Sequence, residues 1–333
     1  MSTNNAVHTY PPEDELPHPI GADIWWQESV YVAWWDAKAG IGGVHRIGHE
    51  ELNGGQVALW ATIFTADGMR YRSVHDTPMR PENRLPNGFG ADPGHASIFD
   101  GKSPLWLWKE KDCEGEIRIH DFYPRMHNFP NDPKANVATL TKEFAAQHFE
   151  TAGRVTGAVT IGGKRYDVND GLCYRDHSWG RRKWDTLLSH RWFTGSFGPQ
   201  LSFGAMNWHS TDGSLGKFGL VVRNGVATFA KDVDILAYME PDAMTHRGGE
   251  LTLTLPVDEQ IHIMARPIDG VIQVIHDIAS VDQLCTAEWN TQTGFCVFEI
   301  STNPRNGTGP VLMAIQACTE NGLSRRPANI PRR

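Results

Sequence analysis

The chain has 333 residues, enough for two cores, and its 40% hydrophobic and 21% charged residues are ordinary for a soluble globular protein. A net charge of −8 argues against nucleic acid as the main partner. No run reaches about 18 consecutive apolar residues, and the polar, proline-bearing stretch 1–19 lacks the apolar core of a secretory signal.

The chain opens on a loose arm, followed by Ile24 to Trp35, a run of aromatic and β-branched residues that reads as a strand. Trp25, Trp26, Trp34 and Trp35 crowd into this run and cannot all face one core, so at least one lines a cavity or a domain interface. Ala39 to Gly43 turns the chain into a second strand, Val44 to Gly48. Gln56 to Phe64 and Met69 to Val74 form a hairpin across Asp67-Gly68. Residues 76–104 are rich in Pro, Gly and Asn and are expected as a long loop, a lid or a rim. Glu116 to Phe122 alternates as a strand. In 136–149, Leu140, Phe144, Ala145 and Phe149 fall near helical spacing, although a strand also fits. A hairpin around Gly162-Gly163 spans residues 155–168.

Further strands follow at Leu187 to Phe193 and Leu201 to Trp208, then a hairpin across Asn224-Gly225. Gly249 to Leu255, Gln260 to Ala265, an Asp269-Gly270 turn into Val271 to Ile275, Leu284 to Trp289 and Gly294 to Ile300 complete the run. This is an antiparallel all-β pattern. About a dozen strands exceed one small barrel, so two β-barrel domains are expected. Their boundary is placed at 165/166, giving domains 1–165 and 166–333. The five cysteines, Cys113, Cys173, Cys285, Cys296 and Cys318, form no CxxC, and their odd number fits reduced thiols in a cytoplasm.

The densest chemistry lies in Gly171 to Arg182, which holds Arg175, Asp176, His177 and Trp179 between Gly171 and Gly180, with Arg181 and Arg182 directly after. If the stretch is extended, Arg175, His177 and Trp179 share one face while Tyr174, Asp176 and Ser178 share the other. If it turns, Asp176 and His177 converge. The same crowding also suits a buried polar cluster that pins a domain junction.

Gly171 to Gly180, with its Asp-His-Ser-Trp-Gly core, resembles the Asp-His-Asn-Trp-Gly signature of the carotenoid 1,2-hydratase-like family of tandem lipocalin-like proteins. That family also holds AttH-like proteins and fungal lipocalin-like pericyclases. Gly42 to Gly48 (Gly-Gly-x-x-Arg-Ile-Gly) and Gly294 to Glu299 support the resemblance. It implies two closely packed barrels with a pocket for large apolar molecules near their junction. It also implies active-site roles for His177 and Trp179. The family's downstream Tyr-x-Asp pair has no counterpart in Ala205 to Ser210, which leaves Asp176 and His209 as substitute acids or bases.

Alkene hydration needs a proton donor, a cation stabiliser and water. A desolvated carboxylic acid or an imidazolium supplies the proton, and indole faces stabilise cations. The candidate catalytic residues are Asp176, His177, Trp179, Arg181 and His209. In the expected mechanism Asp176 and His177 handle the proton, Trp179 faces the charge, and Arg175 or Arg181 holds Asp176 or a ligand oxygen. The candidate substrate contacts are Trp26, Glu28, Tyr31, Trp60, Trp192, Asn207 and Trp208.

The 15 histidines show neither HExxH nor zinc-finger spacing, so no metal is expected. P-loop, GxGxxG-type and Gly-x-Ser-x-Gly motifs are missing, which disfavours nucleotide cofactors and a nucleophile-elbow esterase. The sequence thus points to a cofactor-independent acid/base lyase, a hydratase or dehydratase, for a large apolar isoprenoid- or steroid-like substrate. An isomerase or cyclase on a similar substrate, and a non-catalytic carrier of apolar ligands, are the alternatives.

Overall fold

A computed structural model describes residues 7–50, 52, 54–127, 143, 147–241, 245–276, 278–303 and 317–326. Leu140, Phe144 and Ala145, left between helix and strand above, lie outside them. The aromatic and β-branched runs become strands. They are β1 (Trp26–Asp36), β2 (Ile41–Glu50), β3 (Gln56–Thr65), β4 (Met69–Pro78), β5 (Arg84–Leu85), β6 (Gly88–Ala91), β7 (His95–Phe99) and β8 (Pro104–Lys109). Next come β9 (Cys113–Asp121), β10 (Gln147–Ile161), β11 (Lys164–Arg181), β12 (Leu187–Ser196), β13 (Ser202–Ser210), β14 (Leu215–Arg223) and β15 (Val226–Phe229). The last are β16 (Asp232–Met239), β17 (His246–Thr254), β18 (Gln260–Ile275), β19 (Ile278–Trp289), β20 (Gln292–Thr302), β21 (Ala317–Cys318) and β22 (Gly322–Arg325).

The strands form two curled sheets. One has 12 strands in the order β22-β4-β3-β2-β1-β11-β10-β9-β8-β7-β6-β5, and the other has 10, with β15-β14-β13-β12-β20-β19-β18-β17-β16 in sequence and β21 beside β18. All named pairings are antiparallel except β18 with β21. The fold is the expected all-β, tandem lipocalin-like one. β11 lies wholly in the first sheet, so the expected boundary at 165/166 falls near its start. The chain changes sheet between Arg181 and Leu187, and β22 returns to the first sheet beside β4.

Two local expectations are corrected. Residues 76–104 are not one loop but carry β5, β6, β7 and the start of β8. Glycine hides β6 (Gly88-Phe-Gly-Ala), because it supplies no alternating side chain. At Gly88 any Cβ would lie 2.0 Å from the Ser97 carbonyl oxygen. Asp269-Gly270 is not a hairpin turn, because β18 runs through it with a register shift between Pro267 and Asp269. Pro267 lacks the N–H a regular ladder needs. The Asp269 carboxylate is taken by Arg70 of the first sheet, whose Nε lies 2.8 Å away. Asn224-Gly225 is a true hairpin turn, with φ of 49° and 80°.

Each sheet covers its own apolar core. Val32, Trp34, Ile47, Ile117 and Cys173 fill the first, and Phe193, Phe203, Leu251, Ile263 and Phe298 fill the second. A third core joins the sheets back to back, with Tyr31, Trp60 and Tyr174 meeting Trp192, Met206, Trp208 and Leu284. All five cysteines are free and buried. Among the described residues no helix is long and apolar enough to cross a membrane.

Candidate functional site

β11 stays extended through Asp176-His177, between β1 on one side and β10 on the other. Alternation therefore sends Asp176 and His177 to opposite faces, and they do not converge as a turn would require. Asp176, Tyr174 and Ser178 face the second sheet. Arg175, His177 and Trp179 face the interior of the first.

On the face toward the second sheet, pairing aligns Trp60, Arg46, Tyr31, Asp176 and Glu150 in one row across five strands. The second sheet presents a matching row: Phe218, Met206, Trp192, Glu299, Asp282 and Val271. The rows meet at Tyr31 and Trp192, whose rings cross edge to face with centroids 5.3 Å apart. Trp192 Nε1 donates to Glu150 Oε1 at 3.2 Å, and the Tyr174 hydroxyl donates to Glu150 Oε2 at 2.6 Å. Gly204 makes this approach possible, since a Cβ there would lie 2.5 Å from the Tyr174 oxygen and 2.8 Å from Glu150 Oε2.

The charges are arranged asymmetrically. Asp176 is half-buried. Desolvation raises its pKa and Glu150 adds to the rise, against the opposing pull of His148, Arg182 and Arg46. The carboxyl of Asp282 is likewise pushed well up, first by burial and then by its cross-strand partner Glu299. Burial opposes ionisation of Glu299 too, but His190 (Nε2 to Oε1, 2.8 Å) and Ser280 (2.6 Å) hold its pKa low. The two carboxyls of the pair are thus pushed apart, Asp282 upward and Glu299 downward. Arg182, lowered to about 10 by burial and by Arg46, donates to Ser29 Oγ at 3.1 Å and to Ser178. Burial holds the His148 imidazole neutral, with a pKa of about 4.

The opposite face of β11 holds a separate cluster. His177 Nε2 and His18 Nδ1 lie 2.9 and 2.7 Å from Glu28 Oε1, and His18 stacks on Trp179 with centroids 3.9 Å apart. Burial would raise Glu28, but the bonds from His177 and His18 outweigh it and lower its pKa. The donor atoms of His18, Glu28 and His177 lie within 4.8 Å of one another, a two-His, one-carboxylate set of the kind that holds a divalent cation. Trp26 shares this face by alternation. Beside it, buried Arg175 grips Asp121 (Nε to Oδ1, 2.9 Å) and Glu15 (Nη1 to Oε2, 3.1 Å) of the N-terminal arm.

The sequence-derived candidates therefore divide. Asp176, Tyr31, Trp60, Trp192 and Trp208 meet at the junction. His177, Trp179, Glu28 and Trp26 lie behind it. Arg181 lies at a partly exposed edge with Asp23 (2.8 Å) and Glu143 (2.9 Å), so it does not hold Asp176. Asn207 and His209 share the Ala205 face of β13, opposite Met206 and Trp208, and so turn from the junction. Sequence reasoning missed Arg46, Glu150, Asp282 and Glu299. Two of these carried a signal, because Arg46 lies in the Gly42 to Gly48 stretch and Glu299 ends the Gly294 to Glu299 stretch.

Residues 11–304 match the family model described as "Domain of unknown function (DUF7064)". No curated protein matches the sequence significantly. Among solved structures, an AttH-type protein of Nitrosomonas europaea superposes with a TM-score of 0.63 at 10% identity, over 88% of this chain and 96% of that one. Kievitone hydratase from Nectria haematococca gives 0.62 at 9% identity, over 90% and 94%. CghA gives 0.59 at 10%, over 84% and 88%. These likenesses are likenesses of fold.

Proposed function

We propose that this chain, which belongs to the DUF7064 family, is a cofactor-independent acid/base lyase, a hydratase or dehydratase of a large apolar isoprenoid- or steroid-like substrate held between its two sheets. One observation carries the reading: Asp176 is a half-buried carboxyl whose pKa is raised, and it stands in one row with Tyr31 and Trp60, facing the row of the second sheet that holds Trp192. In the hydration direction the Asp176 proton adds to an alkene carbon. The cation left on the neighbouring carbon faces the indole and phenol rings. Water adds there and yields its proton to a carboxylate such as Glu299; passage of that same proton back to Asp176 through solvent resets both groups with no net proton consumed. Dehydration runs the same steps backward: the protonated Glu299 gives its proton to the leaving hydroxyl, and the Asp176 carboxylate takes the proton from the neighbouring carbon.

The kievitone hydratase likeness agrees with this class of reaction, although at 9% identity it is support from fold alone. A cyclase or isomerase reading draws on the same donors, which would polarise a carbonyl instead of protonating a carbon. The test is a panel of terpenoid and steroid-like alkenes and tertiary alcohols, followed by mass spectrometry for gain or loss of water. The parent should convert at least one, and Asp176→Asn should bind it without converting it. An isomeric product without exchange with labelled water would favour cyclisation. Saturable binding with no product from any member would favour the carrier.

A further inference from the structure

We infer that the ligand of the junction carries an anionic oxygen, a carboxylate or an enolate, seated on Arg46, Tyr31 and Trp60; this rests on the reading of the junction as the substrate site. The Arg-Ile-Gly end of the Gly42 to Gly48 stretch builds the seat. Arg46 pairs with Tyr31 on one side and Trp60 on the other, and its guanidinium lies 4.4 Å from the Trp60 ring centroid. A Cβ on Gly48 would fall 2.6 Å from Nη1 and 2.7 Å from Nη2, so only glycine leaves room for the head in this position.

Arg46 is 3% exposed, yet neither Nη1 nor Nη2 meets an acceptor among the described residues, and neither do the Tyr31 hydroxyl and Trp60 Nε1. Four donor atoms on three adjacent side chains are therefore buried without acceptors. That is uncommon in a folded protein and calls for a specific occupant. The nearby acids act on Arg46 through space: Glu50, Asp176, Asp76 and Glu299, none of which bonds it. Burial raises the pKa of Asp176 and of Asp76. A planar oxyanion matches a guanidinium fork two-to-two, with the hydroxyl and indole N–H left to complete its acceptor capacity. The apolar body of such a ligand would lie along Trp192, Met206 and Trp208.

The experiment compares deoxycholate with its methyl ester, two probes of one skeleton that differ in charge, by quenching of tryptophan fluorescence. The parent should bind the carboxylate at least about tenfold more tightly than the ester, the scale of a charge-assisted bidentate contact. Arg46→Met should reduce the carboxylate to the affinity of the ester and leave the ester unchanged. Tyr31→Phe, a smaller change that guards against misfolding of the arginine variant, should narrow the preference several-fold. Equal binding of both probes by the parent, an undiminished preference in both folded variants, or no binding of either probe would overturn the inference. Asp176→Asn should keep the preference. A parent protein that turns over substrate but shows no preference would sink this inference alone, and a parent that shows the preference but turns over no substrate would sink the lyase reading alone.

Discussion

At the scale of single residues, the chemistry turns on where protons sit in the junction. The acid needed for alkene protonation must be neutral before the reaction. Asp176 is shifted in that direction, because desolvation outweighs His148, Arg182 and Arg46 and raises its pKa. Activity should then be greatest where Asp176 is protonated and should fall as pH rises through its raised pKa. A pH profile of kcat/KM should show a limb above the ordinary carboxylate range that disappears from any residual activity of Asp176→Asn. The buried histidines govern stability with the opposite dependence. Burial holds His148 and His246 at about 4 and His45 at about 3, so their folded pKa values lie below the unfolded value. Between about pH 6.5 and 4 the unfolded chain binds protons that the folded one refuses, and stability falls as pH is lowered through that window. Urea unfolding at a series of pH values should show this decline, and His246→Asn should shrink it. A flat profile would mean that these imidazoles are not held neutral.

At the scale of elements, the alternation in β11 was legible from sequence and the position of its neighbours was not. The even and odd residues of Gly171 to Arg182 divide between two faces as an extended strand requires. What lies on each face depends on pairing with β1, some 149 positions away, as in the contact of Ser29 with Ser178. No local pattern encodes that partner. Hence the sequence placed Glu28 only among the candidate substrate contacts, and its bonds to His177 and His18 appear only in three dimensions. Turn chemistry was legible where backbone φ is positive, as at Asn224-Gly225, and misled at Asp269-Gly270, where a carboxylate needed by Arg70 imitates a turn signal. The close approach of β13 to β11 gives a test at this scale. Gly204→Ala would place a methyl group against the Tyr174–Glu150 bond, and such overpacking should cost about 1–3 kcal/mol in chemical unfolding. Tyr174→Phe removes the hydroxyl that the methyl strikes, so the cost of Gly204→Ala should be smaller in that background. Equal costs in both backgrounds would show that the sheets part elsewhere to admit the methyl.

At the scale of the whole molecule, the two curled sheets stand back to back, and the proposed site lies where their rows of side chains meet. Composition and hairpin spacing were enough for an all-β, two-sheet protein, because they report local pairing. The junction required both the register within each sheet and the docking of one on the other. That is why Asp282 and Glu299 were invisible as a pair although they are cross-strand neighbours. The docking also explains why the Asp-His-Ser-Trp-Gly stretch divides its labour. Asp176 serves the junction, while His177 and Trp179 close the first barrel around Glu28 and His18. Two adjacent residues thus have separate roles, and their variants distinguish the two faces of β11. Turnover of the best substrate from the panel should be measured for Asp176→Asn and His177→Asn, each shown to be folded by its near-ultraviolet circular dichroism. The account predicts a loss of about 10²–10⁴-fold for Asp176→Asn, the range for a removed general acid, and turnover within about tenfold of the parent for His177→Asn. A folded His177→Asn that loses activity while Asp176→Asn retains it would contradict the account and move the chemistry to the His177, Glu28 and Trp179 side of the strand.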